Sequence, residues 1–159
     1  MMEDQWLRHA KRLHAIASTG LFFTETEFDR ERYEEVAAIA NRMLSELGNK
    51  PVSQIAELFP DFASGYATPK VDVRAAVIRG NKILLVREKL DRLWTLPGGY
   101  ADVGISAAEN AVKEVWEESG LEVTSRRLIG VFHKARHEYT QDVRDFYKFY
   151  FLCDEVGTK

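Results

Sequence analysis

The chain has 159 residues, 45% hydrophobic and 30% charged, enough for one large or two small globular domains. Its 22 basic and 25 acidic residues leave a net charge of -3, which gives no strong field for a nucleic-acid backbone or an anionic membrane. A single cysteine, Cys153, excludes a disulfide framework or a zinc cluster and reads as a small buried hydrophobe within an apolar run.

No run of 18 apolar residues occurs, and Glu3, Asp4 and Arg8 stand where a signal peptide would need a basic start and an apolar stretch. A cytoplasmic protein with no membrane partner is expected.

From Glu3 to about Thr19, Trp6, Ala10, Leu13 and Ala17 recur at threes and fours, which predicts a first amphipathic helix. Gly20 reads as a break, with Phe22 and Phe23 in a turn. Thr26 or Asp29 can cap a second helix with the stripe Tyr33, Val36, Ala37, Ala40, Met43, Leu44 and Leu47, closed by Gly48.

A stripe that wide needs a partner surface, either the downstream domain or a second copy of the chain. Pro51 opens a short third helix through Ile55, Leu58 and Phe59, ended by Pro60. Residues 1–63 are therefore read as a small all-α domain, 64–69 as a linker, and 70–159 as a second domain.

The second domain starts with an alternating strand, Val71 to Val77, and a Gly80-Asn81 turn into Lys82–Arg87, a β-hairpin. Trp94–Leu96 leads into the glycine loop Pro97-Gly98-Gly99-Tyr100. Then Ser106 and Glu109 form a capping box and Gly120 a left-handed stop, which predicts a helix between them.

Ala108, Ala111, Val112 and Val115 share one side of that helix, and Glu114, Glu117 and Glu118 fall in a roughly 100° arc on another. Like charges at i,i+4 cost roughly 0.2–0.5 kcal/mol, so the acid face invites a cation, and hard divalent ions take oxygen ligands. Glutamate-rich faces are more often merely solvated; the glycine loop in front of this one tips the reading toward a site. After the helix, 121–123 and 127–134 read as strands, 135–144 as a polar loop over the site, and 145–154 as an aromatic strand.

The run from Pro97 to Leu121 resembles the Nudix box, G-x5-E-x7-R-E-U-x-E-E-x-G-U, with Gly99, Glu114, Val115, Glu117, Glu118, Gly120 and Leu121 in register. Ile105 stands where the box has its first Glu and Lys113 where it has Arg. The helical N-terminus and the segment around Val71–Arg74 narrow the likeness to bacterial ADP-ribose pyrophosphatase-like proteins, which include CDP-choline pyrophosphatases.

The resemblance implies an α+β class, an α/β/α sandwich with a mixed sheet, whose C-terminal strand, loop and helix are missing from the 90 or so residues after the linker. It implies Mg²⁺-dependent hydrolysis, with Mn²⁺ as a substitute, of a nucleoside diphosphate linked to another group, CDP-choline first and ADP-ribose second, by a homodimer. It makes Glu114, Glu117 and Glu118 the catalytic metal ligands, joined by the Gly99 carbonyl. Arg74, Arg87, Lys113, Gly98 and Tyr100 are the expected substrate-binding residues.

The general base stays open between a box glutamate and an acid of the later loop, Glu138 or Asp142. A choline group would want an aromatic wall. Trp6, Phe22, Phe23, Trp94 and Tyr100 are available for one, although each reads first as core. Two alternatives stand beside this reading: action on RNA, which the near-neutral charge disfavours, and a non-catalytic ligand-binding module, suggested by Ile105 and Lys113.

Overall fold

Asp4 accepts from the amides of Trp6 and Leu7 and so caps α1, Gln5–Phe23, in the computed structural model, which describes residues 3–157. Thr26 caps α2, Glu27–Leu47, by accepting from the Asp29 amide at 3.1 Å, and Gly48 follows its last turn. Pro51 opens α3, Val52–Glu57, which stops at Leu58, two residues before Pro60.

Helix α1 runs straight through Gly20, where a break is expected, and takes in Phe22 and Phe23. Gly20 is there for space rather than for a turn: a Cβ would strike the ring of Tyr33 on α2. The buried side of α1 is Leu7, Ala10, His14, Ala17 and Leu21, one residue round from the predicted stripe, so that Trp6 faces solvent.

Leu7 and Ala10 of α1, Leu44 of α2 and Ile55 of α3 form the core of this unit, and Val143 joins them. The segment Lys134–Asp145 packs with the helices, although the strands that flank it in sequence belong elsewhere. Lys11 on α1 holds it, pairing with Asp145 at 3.1 Å and with Glu3 at 2.6 Å.

The second unit comprises Lys70–His133 and the chain from Phe146 onward. Its centre is β1, Lys70–Arg79. On one edge β1 pairs in parallel with the late strand Phe146–Glu155; on the other it pairs antiparallel with the short segments Lys82–Ile83 and Gly98–Tyr100.

In chain order the remaining strands are β2 (Lys82–Ile83), β3 (Val86–Arg87), β4 (Trp94–Thr95), β5 (Gly98–Tyr100), β6 (Val123–His133) and β7 (Phe146–Glu155). Strands β3 and β4 make a separate two-stranded sheet, so the second hairpin arm is shorter than predicted. The two strands expected across 121–134 are one strand, β6, with register shifts at Ser125/Arg127 and Leu128/Gly130.

Helix α4, Ala107–Ser119, lies between Ser106 and Gly120 as its capping residues dictate. Ala111 and Val115 are fully buried against Val73, Ala75 and Val77 of β1, Val123 of β6, and Phe151 and Cys153 of β7. The sheet is mixed and the fold is α+β. Among the described residues of this unit α4 is the one α-helix. No described helix is long and apolar enough to cross a membrane.

Candidate active site

The acid face of α4 meets the glycine loop at two points. The amide of Gly98 donates to Oε2 of Glu118 at 3.0 Å. One residue on, Gly99 lies against Glu114, so closely that a Cβ there would stand 2.9 Å from Oε1. Gly98 is itself confined, since a Cβ would overlap the Val73 carbonyl and lie 2.7 Å from Cδ of Arg74.

Burial raises the Glu114 carboxyl above its ordinary range, and the charges of Glu118 and Glu117 add to that while Lys113 and Arg74 pull the other way. Burial likewise raises Glu118, opposed by the Gly98 amide and Arg74 and reinforced by Glu88 and Glu117. Two carboxylates one turn apart are thus held in a setting that disfavours their joint ionisation.

Arg74 is bound by β1 and by the chain that leads into the glycine loop. Its Nε and Nη2 donate to the two oxygens of Asp72 at 2.9 and 3.0 Å, and its Nη1 to the carbonyl of Leu96 at 3.2 Å and to Oγ1 of Thr95 at 3.4 Å. Asp72 is buried and also accepts from Nζ of Lys148, its cross-strand partner on β7, at 3.2 Å.

Lys113 is held by two acids, Asp102 at 2.9 Å and Glu117 at 3.2 Å, which raise its pKa. Glu117 is thereby paired with its i-4 neighbour. Among the described residues no three acidic, imidazole or thiol groups converge as a ready-made metal site. The donor set still suits a hard cation: two carboxylates one turn apart, with bare backbone against one of them.

Residues 68–159 match the model of the NUDIX domain. The chain belongs to the Nudix family. Residues 4–59 match a second model, described as a UDP-X-like, N-terminal oligomerisation domain.

The chain is 43% identical over 152 residues to the Bacillus subtilis protein named "Putative ADP-ribose pyrophosphatase YjhB", covering 96% of this chain and 73% of that protein. It is 36% identical over 92 residues to mouse nucleoside diphosphate-linked moiety X motif 6, covering 55% of this chain but 29% of that one. The crystal structure of a UDP-X diphosphatase superposes with a TM-score of 0.54 at 37% identity, over 99% of this chain and 76% of the other.

Within this Nudix hydrolase the predicted site residues divide. Gly98, Gly99, Glu114, Glu118 and Arg74 come together, and Lys113 stands beside them with Glu117. Arg87 instead donates to the Arg92 carbonyl at 2.9 Å and lies over the Trp94 ring. Tyr100 stacks on Phe146 and is half exposed. Arg74, expected to meet phosphate oxygens, is engaged by Asp72.

Glu138 and Asp142 fold with the helical unit. Asp142 is bound there by Arg144 at 2.8 Å and Lys134 at 3.6 Å, and although burial would raise its carboxyl, those partners hold it below its ordinary value. The aromatics read as core are exposed instead: Trp6, Phe22, Phe23, Trp94 and Tyr100.

Residue-by-residue reading missed Asp72, Glu88, Asp102 and Asn110. Asp72 could have been found, because period-2 alternation puts it beside Arg74 on one face of a strand. Asn110, fully buried on α4, accepts from the Asp102 amide at 2.8 Å and donates to the Ser106 carbonyl at 3.1 Å, tying down the loop that carries Lys113's partner. That loop contact had no short-range signal.

Proposed function

We propose that this chain hydrolyses the pyrophosphate bond of a nucleoside diphosphate linked to a second moiety, using a divalent cation, Mg²⁺ or Mn²⁺. Glu114 and Glu118 would hold the cation, with Glu117 and the Gly99 carbonyl as further donors. When bound, such a cation acidifies the attacking water and neutralises the phosphates. The observation that carries this reading is the opposition of two charge-disfavoured carboxylates to a glycine loop that binds one and abuts the other.

ADP-ribose and UDP-linked compounds head the substrates, in line with the names of the similar proteins. CDP-choline stays in the set through the resemblance of the N-terminal half and the exposed aromatics Trp94 and Tyr100. A homodimer formed through α1 and α2 fits both the oligomerisation-domain match and the exposure of Trp6, Phe22, Phe23 and Phe28. A cytoplasmic setting goes with the single free cysteine.

The test is a panel of ADP-ribose, a UDP-linked sugar, CDP-choline and a 5′-triphosphorylated RNA, each with Mg²⁺ and with Mn²⁺. Phosphomonoester products from a nucleoside diphosphate compound support the proposal. RNA turnover alone moves the activity to nucleic acid, and calorimetric binding without turnover makes the protein a binding module.

A further inference from the structure

We propose that Arg74 is a positioning residue for Glu118, acting through the Leu96–Gly98 loop and not through the substrate's phosphates; this rests on the hydrolase reading above. The β1–β5 ladder sets Arg74 directly opposite Gly98. The arginine's Cδ would lie 2.7 Å from a Cβ on that glycine, whose side-chain space the Val73 carbonyl also fills. Its guanidinium reaches past the loop to the Leu96 carbonyl, and the Gly98 amide on the same loop donates to Glu118.

The arginine cannot move off to meet a substrate without giving up both its bonds to Asp72 and leaving that buried carboxylate to Lys148 alone. Asp72 receives two parallel bonds from Arg74 and a third from the buried Lys148, so the carboxylate fixes the fork from beneath. Glu88, 3.9 Å from Nη1, stands on the remaining side. A planar fork with five donors can bind carboxylate, hydroxyl and carbonyl at once, which a lysine ammonium at the end of a flexible stem cannot.

Arg74 thus acts in the manner of an outer-shell group that orients a ligand, through the loop carbonyl it binds and the loop amide that binds Glu118. The order of dependence runs from Asp72 to Arg74, to the loop, to the Gly98 amide, to Glu118.

Arg74→Lys and Asp72→Asn test this, read by Mn²⁺ titration followed by electron paramagnetic resonance without substrate, then by kcat and KM. Each is expected to weaken Mn²⁺ binding and to lower kcat by about tenfold with KM little changed. The double variant is expected to be no worse than the weaker single one, because both remove one clamp. Arg74→Lys keeps a cation beside Asp72 and decides the matter alone if Asp72→Asn does not fold.

A rise in KM at unchanged kcat in Arg74→Lys would make Arg74 a phosphate contact and overturn the proposal, as would Mn²⁺ affinity and kcat that both stay at the wild-type level. Wild-type protein that binds Mn²⁺ but turns over no substrate overturns the hydrolase reading. The Arg74 comparison then remains readable in the Mn²⁺ titration.

Discussion

The amide of Gly98 donates to Oε2 of Glu118 at 3.0 Å, and the Val73 carbonyl stands where a Cβ on the same glycine would go. Any side chain at 98 must push the loop off β1 and take the amide from the carboxylate. Gly98→Ala is expected to destabilise the protein by about 1–3 kcal/mol, the usual cost of overpacking, and to abolish turnover even where the variant stays folded. Thermal melts and product assays on the same sample separate the two effects.

Folding raises the pKa of Glu114 and Glu118, by burial first, so in the metal-free fold their ionisation is disfavoured relative to the unfolded chain. For an acid raised on folding, the contribution to stability is favourable at low pH and is lost as pH rises through the carboxylate range. Glu114→Gln is therefore expected to melt no lower than wild type in EDTA at neutral pH, and higher by a few tenths of a kcal/mol. The same variant should lose the rise in melting temperature that Mg²⁺ gives the wild type. A clear drop in stability in EDTA would contradict the charge argument.

His14 is buried between Phe59 and Phe62, with ring centroids 4.2 and 4.8 Å away, and burial lowers its pKa from 6.5 to about 4. Its neutral form belongs to the fold, so the contribution is fully present above pH 6.5 and is lost as pH falls toward 4. His14→Leu should flatten the stability profile across that window. Melting curves taken between pH 4 and 7 would show an unchanged slope if the imidazole is not the group responsible.

Gly20→Ala offers a helix-propensity gain of about 1 kcal/mol on paper. The Tyr33 ring occupies the space the methyl needs, so the substitution is expected to destabilise the helical unit instead. Pairing it with Tyr33→Leu should recover part of the loss, and chemical denaturation of the single and double variants measures it.

The elements that were legible in the sequence carry their own punctuation. Helix α4 begins and ends at its capping box and left-handed glycine because those residues satisfy the backbone locally. Gly20 misled because a glycine demanded by a neighbouring ring looks the same as one demanded by a turn. The path of Lys134–Asp145 was not legible, since it depends on Lys11 reaching Asp145 across most of the chain.

The candidate site divides in the same way. The spacing of Glu114, Glu117 and Glu118 follows from helical geometry alone. Their surroundings do not: Glu117 pairs with Lys113, and Lys113 pairs with Asp102, a partner eleven residues away in a loop shaped by Asn110. Asp102 supplies an acid to Lys113 in a chain that has Ile105 at the box's first glutamate. Asp102→Asn is expected to leave Glu117 as the lysine's remaining partner and to reduce turnover less than Glu118→Gln does, as a side-by-side rate comparison would show.

Glu118 is proposed to serve a divalent cation in pyrophosphate hydrolysis. Product analysis of ADP-ribose and a UDP-linked sugar incubated with Mg²⁺ tests it most directly, comparing wild type with Glu118→Gln, which keeps the shape and removes the charge. Paired phosphomonoesters are expected from the wild type on at least one of these compounds, none with EDTA, and none above background from the variant. Equal turnover by the variant, or turnover that survives EDTA, would contradict it.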